Sequence, residues 1–169
     1  MAEQIFPTKG NLLNTKKSLS LAKLGFELMD KKRNILIREL MSLVEYAKNI
    51  RGTIEDTYKE AYTALQNANI VNGIIEDISG AMPYDNSLSV SYRSVMGCEL
   101  PKIKIDNPKL TLNYGFLTTD SYVDKAYICF HKVKQMTAIL AEVENSVYRL
   151  TISIRKTQTR ANALQNIVI

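Results

Sequence analysis

The sequence predicts a mainly α-helical protein: a long antiparallel two-helix coiled-coil hairpin with a small β-hairpin-containing insert at its distal tip. Three observations predict it. The 169 residues include only 7 Gly and 4 Pro, and no proline interrupts residues 8–82 or 109–169, so two unusually long helices are allowed. Both stretches carry an apolar seam at alternating spacings of three and four. Between them the period changes to two, as in strands. The chain accordingly divides into an N-terminal coiled-coil helix over 1–78, an insert over 79–120 and a C-terminal coiled-coil helix over 121–169.

The first helix starts at Pro7-Thr8, which a long stretch without helix breakers follows. From Leu12 to Ile78 the seam passes through twenty positions, of which seventeen are apolar; Thr15, Arg33 and Thr57 are the exceptions. A phase held that long indicates a left-handed coiled coil rather than an ordinary amphipathic helix. About 70 residues at ~1.5 Å each make a rod of roughly 105 Å. A compact body of this chain length has a radius of gyration of only about 15 Å, so the chain is elongated. Ala47, Ala61, Ala64 and Ala68 fall on the seam and let a partner helix approach closely. Gly25 and Gly52 are sites where the helix can bend.

The second seam runs from Tyr122 to Val168, with thirteen of fourteen positions apolar. Asp120 or Ser121 can cap its start, and Asp124 adds a favourable charge in the first turn. Two seams in one chain pack most simply as an antiparallel hairpin. Joining Ile78 to Ser121 sets Ile169 beside roughly Asp30, Arg160 near Glu39 and Arg155 near Val44. The chain ends inside a live heptad, Asn166-Ile167-Val168-Ile169, which leads us to expect a truncated C-terminal helix.

In the insert, Leu88, Val90 and Tyr92 alternate with Ser87, Ser89 and Ser91, and Ile103 and Ile105 alternate with Lys102 and Lys104. These read as the two strands of a β-hairpin. Asp106-Asn107-Pro108 and Asn113-Tyr114-Gly115 supply turn chemistry.

Composition excludes several functions. Cys98 and Cys129 make neither a disulfide framework nor a metal set, and they suit a reducing compartment. The N-terminus lacks the pattern of a secretory signal, and no run of about 18 apolar residues exists. No glycine pair stands at phosphate-loop spacing. His131 is the sole histidine, and Glu142 and Glu144 lie on different helix faces. The expectation is a non-catalytic protein without metal or cofactor.

The formal charge is +5, unevenly spread. Residues 1–60 carry net +3, residues 61–120 net −2 and residues 121–169 net +4. An antiparallel hairpin brings the basic ends together. Lys31, Lys32, Arg33 and Arg38 on the first helix meet Arg155, Lys156 and Arg160 on the second, forming a positive band. Such a band is either a solvated face or a collar that meets an acidic protein ring or a nucleic acid. Arg33 lies on the seam itself and can fix register or face a partner. Tyr46, Tyr58 and Tyr62 flank the seam as packing residues. On the heptads alone, a coiled-coil adaptor or chaperone and a basic helical nucleic-acid binder remain alternatives.

Three segments carry a resemblance to a known family. Pro7-Thr8-Lys9, then Gly25 followed by Leu28-Met29-Asp30-Lys31-Lys32-Arg33 and Leu36-Ile37-Arg38, resembles the N-terminal signature of the D subunits of V-type and archaeal A-type rotary ATPases. Leu112-Asn113-Tyr114-Gly115-Phe116-Leu117 looks like that family's turn before its second helix. Thr157-Gln158-Thr159-Arg160-Ala161-Asn162-Ala163-Leu164-Gln165 is similar to its Thr-Arg-Arg-Arg-Val-Asn-Ala-Leu-Glu stretch. Gln158 and Thr159 replace two family arginines, Gln165 replaces a glutamate, and Gly25-Phe26 stands for Gly-His, which weakens the collar.

The resemblance implies a central rotor stalk that couples ATP hydrolysis or synthesis in a catalytic head to rotation of a membrane ring and ion (hydrogen-ion) transport. It implies contact with the A and B subunits of the head through Lys31, Lys32, Arg33, Arg38, Arg155, Lys156, Arg160 and Asn162. The small F subunit of the stalk and the connector to the membrane ring would lie near the lower part and the β tip. The resemblance further implies a cytoplasmic protein peripheral to the membrane, without membrane insertion and with no nucleic-acid partner.

Overall fold

A computed structural model describes residues 6–80, 82, 86–106, 114–117 and 119–168. Helix α1, Lys9–Asn72, is 64 residues long and runs unbroken through Gly25 and Gly52, a length of roughly 96 Å. Thr8 is its N-cap, with the side-chain oxygen accepting from the Asn11 N–H at 3.2 Å, which satisfies one of the free donors of the first turn. Its buried residues are Ala22, Leu36, Ile54, Ala61, Ala64 and Ala68, all on the heptad seam. No residue from 9 to 21 is buried, and the seam residues Leu12 and Leu19 are exposed.

The apolar seam continues to Ile78, but α1 stops at Asn72. Gly73, with φ 75°, turns the chain, a conformation glycine adopts without steric cost. A short helix α2, Glu76–Gly80, follows. Ile75 and Ile78 still pack against the Ala61, Ala64 and Ala68 cluster, which is why the apolar period survives a break in the helix. That break shifts the register.

Helix α3, Ser121–Ala163, returns antiparallel and ends in a π-helical turn, Leu164–Val168. Asp120 occupies its N-cap position, but its side chain makes no capping bond. Arg33 Nη1 donates to Gln158 Oε1 at 2.8 Å, and Tyr58 and Thr137 share a hydroxyl bond of 2.6 Å. A Cβ added to Gly25 would stand 3.6 Å from Leu164 Cδ1. The expected pairing of Arg160 with Glu39 and Arg155 with Val44 is therefore displaced about one heptad toward the N-terminus of α1. The cause is the early end of α1 at Gly73. Ile169 lies outside the described residues.

At the distal end, Ala61, Ala64 and Ala68 meet Val123, Ala126, Cys129 and Val133 in one core cluster. The three seam alanines are buried against this mixture of small and β-branched side chains. Tyr58, Tyr62 and Phe130 flank this stretch as an aromatic row, Tyr62 edge-on to Phe130 at 6.0 Å.

The insert forms two antiparallel strands, β1 Leu88–Val95 and β2 Cys98–Ile105, paired Leu88↔Ile105 through Val95↔Cys98. The connecting turn is Met96-Gly97, with φ 50° and 76°, as a two-residue I′ turn requires. This turn is not among those expected from the sequence. Asn107, Pro108 and Asn113 of the two expected turns lie outside the described residues.

The insert is rooted at the distal end, but its hairpin extends back along α3. Cys98 and Leu100 are buried with Leu36 of α1 and Leu150 of α3, and Val95, Leu40, Leu43 and Ile154 pack around them. Burying each leucine is worth about 1.5–3 kcal/mol. Along α3, Ala138 and Ser146 are buried although both lie off the coiled-coil seam. Together with Glu142 and Arg149 they form a second stripe that faces the hairpin. Glu142 Oε2 accepts the Ile103 N–H at 2.8 Å, and Arg149 donates to the Glu99 carbonyl at 3.2 Å.

Candidate functional site

Arg33 positions the two basic clusters. It ion-pairs with Asp30 one turn earlier and reaches across the seam to Gln158. Gln158 in turn donates through Nε2 to Asn162 Oδ1 at 2.7 Å. Asp30, Arg33, Gln158 and Asn162 thus form a polar chain from one helix to the other. A seam arginine would carry a large desolvation cost without such partners. The Arg33 guanidinium is accordingly engaged within the molecule, by Asp30 on its own helix and by Gln158 across the seam.

The other residues of the two basic clusters lie at the surface. Lys31, Arg38, Arg155, Lys156 and Arg160 are exposed and Lys32 is half-buried. Among the described residues, none of these six forms an ion pair. Asn162 is also exposed, though its carbonyl oxygen is committed to Gln158. The structure therefore brings the eight sequence-derived residues to one level of the rod, with Arg33 and Asn162 in the internal chain and six cations around it.

The sequence reading missed the hairpin's share of this level. Gly97, Cys98 and Glu99 line a shallow pocket with Arg149, Ile152 and Lys156, so the β turn sits against the collar. Arg93 on β1 hydrogen-bonds and ion-pairs with Glu39 of α1. Arg149 lies over the Tyr92 ring, 5.5 Å from its centroid, a cation–π contact. Arg149, Lys156 and Arg160 share one stripe of α3, at i, i+7 and i+11. The signal for Arg149 was that spacing, and the signal for the turn was Gly97 between two alternating runs.

The insert is anchored at its other end by Tyr114. Its ring is 6% exposed, meets Tyr127 edge-on at 5.6 Å, and its hydroxyl donates to Asp124 Oδ1. Burial first, then that bond and the Asp124 charge, hold the Tyr114 hydroxyl well above its usual pKa range. Asp124, expected as a first-turn charge, is thereby also the latch for the chain entering α3.

The arrangement offers docking chemistry: fixed positive charge on a stiff support. Among the described residues no group of three or more His, Cys, Asp or Glu could hold a metal ion, and no helix is long and apolar enough to cross a membrane.

Comparison with known proteins agrees along nearly the whole length. The family model for the ATP synthase D subunit matches residues 11–169. The V-type ATP synthase D subunit of Thermotoga neapolitana is 38% identical over 167 residues, covering 98% of this chain and 82% of that protein. The A-type ATP synthase D subunit of Thermococcus kodakarensis is 34% identical, covering 100% of this chain and 82% of the relative. That of Methanosarcina acetivorans is 31% identical, covering 100% and 84%. With a family match across both helices and the hairpin between them, the chain belongs to the family of ATP synthase D subunits of V-type and A-type complexes.

Proposed function

We propose that the chain is the central rotor shaft of a V-type ion-translocating ATPase or ATP synthase, a non-catalytic component that couples ATP hydrolysis or synthesis in the head to rotation of the membrane ring. The observation that carries this reading is the antiparallel pairing itself. It is sustained from the Gly25–Leu164 contact to the cluster of Ala68 with Ala126 in a chain of this family. A shaft has to transmit torque without folding up, and a long two-helix rod with interdigitated seams meets that need.

A shaft must also present a different face to each part of the head at each angle. The hairpin lies on one side of the rod, against α3, and the exposed cations cluster at one level. Lys31, Lys32, Arg38, Arg155, Lys156 and Arg160 are the residues we assign to contact with the A and B subunits of the head, over the scaffold set by Arg33 and Asn162. The F subunit of the stalk and the connector to the membrane ring take the lower part of the rod, in the cytoplasm and peripheral to the membrane.

The test is direct. The purified chain is mixed with a catalytic head of A and B subunits and with the F subunit of the stalk, and co-elution and ATP turnover are measured. A stoichiometric complex with altered turnover is expected. Failure of the chain to associate with the head would overturn the proposal.

A further inference from the structure

The two edges of the β-hairpin are treated differently. The Val95↔Cys98 pair closes a two-residue turn, and the Asp106 N–H bonds to the Ser87 carbonyl at 3.0 Å. Odd-numbered residues of β1 therefore bond to β2, while Leu88, Val90, Tyr92 and Ser94 direct both N–H and C=O away from it. On β2 three of the corresponding outward positions are taken or removed. Glu142 takes the Ile103 N–H, Arg149 takes the Glu99 carbonyl, and Pro101 has no N–H to offer. α3 therefore lies along that edge and bonds to it at two points. Among the described residues, no partner reaches the outward groups of Leu88, Val90, Tyr92 or Ser94.

The bare edge is also apolar where a soluble edge is normally protected by charge. Leu88, Val90 and Tyr92 are 50%, 49% and 59% exposed and share a face with Ile105, Ile103 and Pro101. The opposite face carries Ser89, Ser91 and Arg93 beside Lys104, Lys102 and Leu100. Lys102 and Lys104 are exposed and form no ion pair among the described residues, and the short serines leave their ammonium groups as the nearest free charges. A strand laid beside β1 would thus meet the apolar row of Leu88, Val90 and Tyr92 on one face, and on the other Ser89 and Ser91 with the charges of Lys104 and Lys102 one strand further in.

We propose that the outer edge of β1 is a strand-addition site for an extended segment of a partner protein in which apolar and acidic residues alternate. The main-chain ladder supplies affinity and the two faces set the alternation. The inference concerns the hairpin alone and stands apart from the shaft reading.

The test uses the full chain and a nine-residue synthetic peptide alternating Val and Glu. Binding is followed by fluorescence anisotropy, and amide exchange of the chain by NMR. Exchange at Leu88, Val90, Tyr92 and Ser94 is expected to slow by about tenfold or more on binding. A peptide alternating Val and Lys should bind about tenfold more weakly or worse. Val90→Pro removes an outward N–H without removing a ladder bond, as Pro101 already does across the hairpin, and should lose the peptide. Should that variant disturb the hairpin, N-methylation of the Val–Glu peptide at its bonding amides tests the same point on the unaltered chain. Absence of binding, equal binding of the N-methylated or the Lys peptide, or a dimer of the chain that pairs through β1 would each overturn the proposal.

Discussion

Arg33 on α1 and Gln158 on α3 share a hydrogen bond of 2.8 Å across the coiled-coil seam, 125 residues apart in sequence. A charged donor at a half-buried site makes one of the stronger side-chain bonds, and this one sits at the level where the two basic clusters meet. Arg33→Ala and Gln158→Ala should each destabilise the chain, with a coupling of about 1–2 kcal/mol between them. A double-mutant cycle from urea unfolding checks this. A coupling near zero would show that the bond does not hold the register.

Docking of the hairpin rests on Leu100, which is 0% exposed between Leu36 and Leu150. Leu100→Ala should cost about 2–5 kcal/mol. The loss should be local, because the helices keep their own seam. Limited proteolysis is expected to cut the hairpin early in the variant while the helical circular dichroism changes little. Equal protection of the hairpin in both proteins would contradict the burial assigned to Leu100.

Tyr114 gives a dependence on alkaline pH. Its folded pKa is raised above the ordinary 10.0, so its contribution to stability is fully present below that value. Above pH 10 the unfolded chain releases the phenol proton while the folded chain retains it, and stability falls by up to about 1.4 kcal/mol per pH unit. Tyr114→Phe removes this component and also loses the bond to Asp124, costing about 1.5–3 kcal/mol at neutral pH. Unfolding curves of both proteins between pH 8 and 11 make the comparison.

For the collar, Lys31→Glu, Lys156→Glu and Arg160→Glu in combination should weaken association with a catalytic head by about tenfold or more at low salt. The gap should narrow as salt rises, because exposed charges are screened. Helix content should stay unchanged, since these side chains form no ion pair among the described residues. Unaltered affinity measured by surface plasmon resonance would remove these residues from the interface.

Both long helices were legible because their signals are redundant. Proline is absent from both, and every buried residue of α1 falls on the seam. The strands were legible from alternation. The path of the hairpin was not, because the stripe of α3 that it covers is built from Ala138, Glu142, Ser146 and Arg149, residue types that equally suit a solvated face. Register failed for a different reason. Ile75 and Ile78 keep the heptad phase after Gly73 has ended the helix, so periodicity alone conceals the break. At the collar the residue clusters were readable, whereas the pairing of Arg33 with Asp30 and Gln158 depends on which residues meet across the seam.

Mechanically, the hairpin acts as a rib. It touches α3 from Lys134, whose ammonium bonds to Ser87 at 3.0 Å, to Lys156 beside Gly97, and so deepens the rod in one plane only. Resistance to bending rises steeply with depth in the plane of the bend. The molecule therefore has a rigid and a compliant direction over that stretch. Sideways load is passed to the unribbed lengths beyond it, above all to the stretch at Ala61, Ala64 and Ala68, where α1 meets α3 through small side chains.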